Sequence, residues 1–150
     1  MPLINSDIFC DENCGEPISI LSHNFVSIKT YAMTTQDVAT RLIDLCRNGK
    51  VEEAKEELFA PDIISIEPRE GLLPKETKGM DAIRKKAELF VSHVEDFFGS
   101  IISEPVVAGD YFSVAWHSDL QMKGEARKTN SELAVYKVKD GKIVSEQFFY

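Results

Sequence analysis

The sequence predicts an α+β domain in which helices pack against one face of a curved antiparallel sheet. Helical periodicity dominates between Thr35 and Val94, with a single strand inside it, and the last 55 or so residues read as strands throughout. Those strands are separated by short turns at Gly109-Asp110, Lys123-Gly124 and Asp140-Gly141. Loops this short force antiparallel neighbours, and Asp-Gly is a strong hairpin signal. Helices first and a long meander after is the layout of an α+β domain.

Each element has its own warrant. Thr34 is placed to cap a helix, with Asp37 three residues on as an approximate capping box. Val38, Leu42, Leu45 and Cys46 then recur at i, i+4, i+7 and i+8, and Asn48-Gly49 supplies a left-handed stop. Val51, Ala54 and Leu58 give a second, short amphipathic helix ending before Pro61. The run DIISIEP is a strand, and REGLLPKETKG is a loop punctuated by Gly and Pro. A third helix is expected from about Asp81, with Ile83, Ala87, Phe90, Val91 and Val94 inward; its acidic start suits the helix dipole. Strands are expected over Phe97 to Val107, Tyr111 to Met122, Ala126 to Val138 and Lys142 to Tyr150.

Residues 1–32 differ from the rest. They hold a single basic residue, Lys29, with scattered turn formers and no sustained period. They are expected to form a loose arm, or to be upstream sequence from a misplaced start, with the compact domain spanning 33–150.

Bulk properties narrow the partners. A chain of 150 residues that is 43% hydrophobic can bury a real core. A formal charge of −8 argues against nucleic acid, which needs a basic stripe, and against an anionic membrane surface. No apolar run approaches the roughly 20 residues of a membrane span, and no signal-peptide pattern is visible. The reading is of a cytoplasmic protein without a cofactor. Cys10, Cys14 and Cys46 are odd in number and lack a repeated spacing. With His23 the first two fall short of a metal-ligand set, so no metal is expected.

Both faces of the late strands carry apolar residues. In SELAVYKV, Leu133 and Val135 point one way while Ala134, Tyr136 and Val138 point the other. A sheet with one solvated face alternates more cleanly, so a homodimer through the sheet is expected.

The order helix, NG turn, short helix, LFAPDIISIEP, TKGMDAIRKKAELF, meander and KDGKIVSEQFFY resembles the SnoaL-like branch of the nuclear-transport-factor-two-like superfamily. That superfamily includes ketosteroid isomerases, limonene epoxide hydrolase and scytalone dehydratase. The resemblance covers roughly Thr35 to Tyr150. It implies a cone-shaped fold, a curved sheet wrapped around three helices with an internal pocket, and frequent dimerisation through the sheet. It implies no single activity, because the fold hosts isomerases, hydrolases, dehydratases, cyclases and binders.

The resemblance places Glu67, directly before Pro68, at the position of the isomerases' catalytic base. A carboxylate at a pocket wall can shuttle a proton on a carbon beside a carbonyl. The bland reading is a solvated strand end, or a salt bridge with Arg69 or a lysine of the third helix. The isomerases' helix tyrosine falls at Leu42 and their protonated aspartate near Ala134, and neither residue can donate a hydrogen bond.

The strand FSVAWHSDLQM offers two exclusive registers. Periodicity turns Phe112, Val114, Trp116, Ser118 and Leu120 inward, putting Trp116 against a ligand. The similarity to limonene epoxide hydrolase instead puts His117 and Asp119 over that family's Arg-x-Asp pair. A one-residue shift exchanges the faces, and periodicity favours Trp116 inside. Glu132 shares the parity of Tyr136, on the face assigned to the pocket, and Glu146 shares that of Phe148 and Tyr150. Should Glu67 and Glu132 meet in one pocket, their repulsion would raise one pKa; otherwise Glu132 pairs with Arg127 or Lys128. His93 suits the negative end of its helix, and EEAKEEL reads as a solvated face with i,i+4 support.

The reading is therefore a protein that binds a small, largely apolar organic molecule and acts on it as a cofactor-free isomerase, dehydratase or cyclase. Glu67 is the base, and Trp116, Glu132, Tyr136, Glu146 and Tyr150 are ligand-binding residues. The alternatives are a non-catalytic ligand-binding or dimerisation module, and a cofactor-free hydrolase using His117 and Asp119.

Overall fold

The computed structural model describes residues 32–150. Apart from Ala32, the expected arm lies outside the described residues, as do Cys10, Cys14 and His23. Among the described residues three helices and seven strands follow one another as α1 (Thr35–Arg47), α2 (Val51–Leu58), β1 (Phe59–Ile66), β2 (Glu76–Lys78), α3 (Met80–His93), β3 (Val94–Ile102), β4 (Val106–Ala108), β5 (Tyr111–Met122), β6 (Lys128–Lys139) and β7 (Lys142–Phe149).

The capping box is present. Thr34 Oγ1 accepts from the Asp37 amide at 3.2 Å, and the Asp37 carboxylate accepts from the Thr34 amide at 2.9 Å. At the other end Gly49 takes the positive φ of 72° that stops α1. The buried stripe of α1 is Val38, Ala39, Leu42, Ile43 and Leu45, while Cys46 is only partly buried. α2 runs directly into β1, which starts before the expected Asp62 and so contains Pro61. Pro61 is tolerated because the pairing of β1 with β7 is irregular between Phe59 and Ile64, where a ladder donor is dispensable.

Within the loop read from REGLLPKETKG sits β2, which pairs antiparallel with the end of β1. Three residues are too few to carry a period. In α3, Ile83 is buried and Ala87 and Phe90 are half-buried, but Val91 is 66% exposed, a correction to the expected inward set. One residue beyond Phe90 the helix has turned by about 100°, away from the sheet.

The expected strand from Phe97 to Val107 is two strands. Pro105 cannot donate to a ladder, and the chain breaks at Ser103. Ser103 repairs the edge: its amide donates to the Ala115 carbonyl at 3.0 Å and its Oγ accepts from the Ala115 amide at 2.9 Å. The last hairpin turns on Asp140 and Gly141, with φ of 52° and 74°, the paired positive angles of a type I′ turn that Asp-Gly favours.

The sheet order is β2-β1-β7-β6-β5-β3, with β4 also on β5. It is mixed rather than wholly antiparallel, because β1 and β7 run parallel. Parallel neighbours need a long crossover, here the whole chain between the two strands. Irregular register between Val94 and Asp96, and again between Phe97 and Gly99, bends β3, as bulges do. The result is a curved, unclosed sheet wrapped around the helices as a cone. Val38, Leu42 and Ile43 pack with Phe112, Val114 and Ile143 in the core. Among the described residues no helix is long and apolar enough to cross a membrane.

Candidate active site

The site follows from the pleat of four adjacent strands, β1, β7, β6 and β5. Ile63, Ser65 and Glu67 alternate with exposed or half-exposed neighbours and turn inward, at 0%, 0% and 4% exposure. Ser65 pairs with Glu146, Glu146 with Tyr136, and Tyr136 with Phe112, so these four form one row across the inner face. Further along, Phe148, Ala134 and Val114 make a second row, and Glu132, Trp116 and Ile102 a third. Three glutamates are thereby brought to one wall of a cavity of about 800 Å³. Helix α3 closes the opposite side with Ile83, Lys86, Ala87 and Phe90, and α1 contributes Leu42 and Cys46.

Lys86 organises the polar part of this wall. Its Nζ donates to Ser65 Oγ at 2.8 Å, makes an ion pair with Glu67, and lies 5.1 Å from the centroid of the Phe148 ring. The other oxygen of Glu67 accepts from the Tyr150 hydroxyl at 3.0 Å. Arg69, at the mouth, lies 5.5 Å from the centroid of the Tyr150 ring. Both oxygens of Glu67 are thus engaged, one by an ammonium and one by a phenol.

The three glutamates occupy different electrostatic positions. Burial pushes the Glu132 carboxyl up to about 7, helped by the charges of Glu67 and Glu146 and opposed by Lys86. Burial also raises Glu146, against the neighbouring Ser65 hydroxyl and the charges of Lys86 and Lys55. The Tyr150 hydroxyl is pushed up to about 12 by burial and by its bond to Glu67. Tyr136 is raised well above its usual value, again by burial first and then by Glu146. The Cys46 thiol at the cavity edge rises to about 11 for want of solvent.

Glu67, Trp116, Glu132, Tyr136, Glu146 and Tyr150 therefore line a single cavity, while His117 and Asp119 do not. The β5 register that would turn the latter two inward is replaced by its opposite, because burial of Phe112, Val114 and Leu120 fixes the inner face. His117 is exposed, with Nδ1 2.8 Å from Ser131 Oγ. Asp119 is held below the usual carboxylate range by a two-pronged bond from Arg127, at 2.9 and 2.6 Å. Arg127 thus pairs with Asp119 rather than Glu132, and Lys128 pairs with Glu125. His93 is exposed at the end of α3, 2.9 Å from the Leu89 carbonyl oxygen. The acidic run of α2 pairs by i,i+3 steps, Lys55 with Glu52, rather than by i,i+4.

The salt bridge of Glu67 with a lysine of the third helix, read from the sequence as the alternative to a base, is present with Lys86; which lysine, and the part of Ser65, were not legible. The available signal was a lysine lying between Ile83 and Phe90 on the inward stripe of α3, where an unpaired charge has no place. Among the described residues no group of His, Cys, Asp and Glu side chains is arranged to hold a metal ion.

A family model for the SnoaL-like domain matches residues 33–150. The chain belongs to the SnoaL-like family. A protein from Mesorhizobium loti, provisionally named a SnoaL-like polyketide cyclase, is 32% identical over 79% of this chain and 100% of its own, with a TM-score of 0.74. At 15% identity, a nuclear-transport-factor-two-like protein of unknown function from Burkholderia pseudomallei shares the fold over 79% of this chain and 92% of its own, TM-score 0.66. IdmH from Streptomyces antibioticus, also provisionally named a polyketide cyclase, shares it at 18% identity over 78% and 91%, TM-score 0.59. No curated protein matches the chain. This SnoaL-like chain thus has the α+β framework of small-molecule-binding isomerases and cyclases.

Proposed function

We propose that this SnoaL-like protein binds a small, largely apolar organic molecule and moves a proton on it without a cofactor, as an isomerase, dehydratase or cyclase does. Glu67 is the general base. The observation that carries this is a carboxylate only 4% exposed, at the wall of a cavity whose other walls include Leu42, Phe59, Ile83, Phe90 and Trp116. A buried carboxylate in an apolar cavity is costly, and functional sites are where such groups collect. Lys86 and Tyr150 fix the direction of its lone pairs, and orientation of this kind is what a base needs.

A second reading is a non-catalytic binder. It draws on the same geometry, since both oxygens of Glu67 already have partners and Leu42 and Ala134 offer no donors. A hydrolase built on His117 and Asp119 has less support, because both sit on the outer face of the sheet. That face also carries the exposed side chains of Ile101, Val106, Leu133 and Phe149, and we place the second copy of a homodimer there.

Native mass spectrometry of the protein from its own cell identifies the occupant of the cavity. Incubating that molecule with fresh protein tests the chemistry. Conversion is expected for wild type, with a loss of about a hundredfold or more in Glu67→Gln, the usual scale for a general base. An occupant left unchanged by the wild type supports the binder.

A further inference from the structure

Three carboxylates share the inner wall of the cavity, and one of them has a cation. Glu67 is held by Lys86 and Tyr150. Glu146 on β7 and Glu132 on the adjacent strand β6 have no ion pair and no hydrogen bond among the described residues. Glu146 is only 7% exposed, and Glu132 is half-buried. The only enclosed side-chain oxygen without a partner, again among the described residues, is Thr77 Oγ1. The oxygens of Glu146 therefore open onto the cavity they line. Nearby cations are engaged elsewhere: Lys86 with Glu67 and Ser65, Lys55 with Glu52 at 2.7 Å, and Lys128 with Glu125 at 2.6 Å. Arg69 has no carboxylate partner among the described residues, but it stands at the mouth beside Tyr150. The wall thus holds more negative charge than the chain's own cations answer, and a buried carboxylate without a cation is costly.

Three aromatic side chains of the same face, Trp116, Tyr136 and Phe148, line the cavity beside these carboxylates. Trp116 is paired with Glu132, and Tyr136 with Glu146, across the sheet. Phe148 already receives one ammonium, that of Lys86, at 5.1 Å from its ring centroid. Carboxylates set among aromatic rings suit an organic cation, which gains from both. A metal ion needs several oxygens on one point, and no group of side chains among the described residues is so arranged.

We propose that the cavity takes an organic amine, bound as its ammonium against Glu146 with Glu132 facing it, and with its apolar body against Leu42, Ile83 and Trp116. This assignment rests on the reading of the cavity as a small-molecule site. It leaves Glu67 to act on carbon, because Lys86 already answers that charge and the ammonium is drawn to the two carboxylates that lack one.

Phenethylamine, phenethyl alcohol and phenylacetate share one skeleton and carry a positive, a neutral and a negative group. Each is titrated into the full chain by NMR between about pH 5 and about pH 8. At the upper pH the amine is expected to bind about tenfold or more tighter than the alcohol, the scale of one charge-assisted hydrogen bond, with phenylacetate weakest. Its affinity should rise across the range as Glu132 and Glu146 ionise, while that of the alcohol should not. The groups that set this rise are Ser65 and Glu67 on or beside β1, Lys55 on α2, Lys86 on α3 and Tyr136 on β6. Glu146→Gln should bind the alcohol as wild type does and lose the preference for the amine. A neutral isostere of an unpaired buried carboxylate leaves the fold intact. Glu132→Gln should lose part of the preference and flatten the rise with pH. Equal binding of amine and alcohol by the wild type overturns the proposal and leaves the cavity a small-molecule site. So does a preference for the amine that survives in Glu146→Gln. Phenylacetate as the tightest ligand overturns it in favour of Arg69 as the anchor. No binding of any of the three at millimolar concentration overturns both the amine and the small-molecule reading.

Discussion

The ammonium of Lys86 and the carboxylate of Glu67 form a buried ion pair across the cavity, with side chains 10% and 5% exposed. Neither charge has solvent to fall back on. Lys86→Met should therefore destabilise the fold by about 3–5 kcal/mol, because it leaves a buried carboxylate uncompensated. Adding Glu67→Gln to that variant should restore most of the loss. Urea denaturation of the two single variants and the double variant measures the coupling, and additive losses would contradict it.

Tyr150 orients the second oxygen of Glu67 from a ring that is itself half in solvent. Tyr150→Phe should cost only about 1.5 kcal/mol of stability, the low end for a bond to a charged acceptor. Turnover should fall by about tenfold, since one barrier increment of about 1.4 kcal/mol is a factor of ten. A variant with reduced stability and undiminished turnover would remove the hydroxyl from the mechanism.

Glu132 makes stability depend on pH. Its folded value, about 7, lies above its ordinary value of 4.5, so folding favours the protonated form. The associated stability is present below about pH 4.5 and is lost as pH rises through 7. Glu132→Gln, neutral throughout, should gain on the order of 3 kcal/mol over wild type at pH 8 and almost nothing at pH 4. Thermal unfolding at the two pH values checks the difference.

The outer face of the sheet carries Ile101 and Val106 at 70% and 71% exposure, beside Leu133 and Phe149. An apolar strip of this kind is costly to leave in water. Sedimentation of the wild type should give a dimer, and Ile101→Glu with Val106→Glu should give a folded monomer. A wild type that sediments as a monomer at all concentrations would count against the assignment of this face.

How much of this was legible depended on whether a residue's place is set locally. The capping box at Thr34 and Asp37, the stop at Gly49 and the turn at Asp140-Gly141 are local, and the sequence displays them. The inner face of β5 was legible because four large apolar side chains, Phe112, Val114, Trp116 and Leu120, outvote the polar ones between them. The break at Ser103 was missed although Pro105 two residues on marks it locally. The short β2 was not legible, because it exists only through a neighbouring strand. The same holds for the site. The parity of Glu67, Glu132, Glu146 and Tyr150 can be read along single strands, but the ion pair of Glu67 with Lys86 joins a strand end to a helix 19 positions later. Nothing in either segment alone selects that lysine from Lys85 beside it.

The central claim is that Glu67 takes a proton from carbon. Deuterium wash-in tests it most directly: the cavity's own ligand, identified by native mass spectrometry, is incubated with protein in heavy water and followed by proton NMR. Wild type is expected to introduce deuterium at one carbon position, and Glu67→Gln to do so about a hundredfold more slowly. Equal wash-in by both proteins, or none by either, would contradict the account.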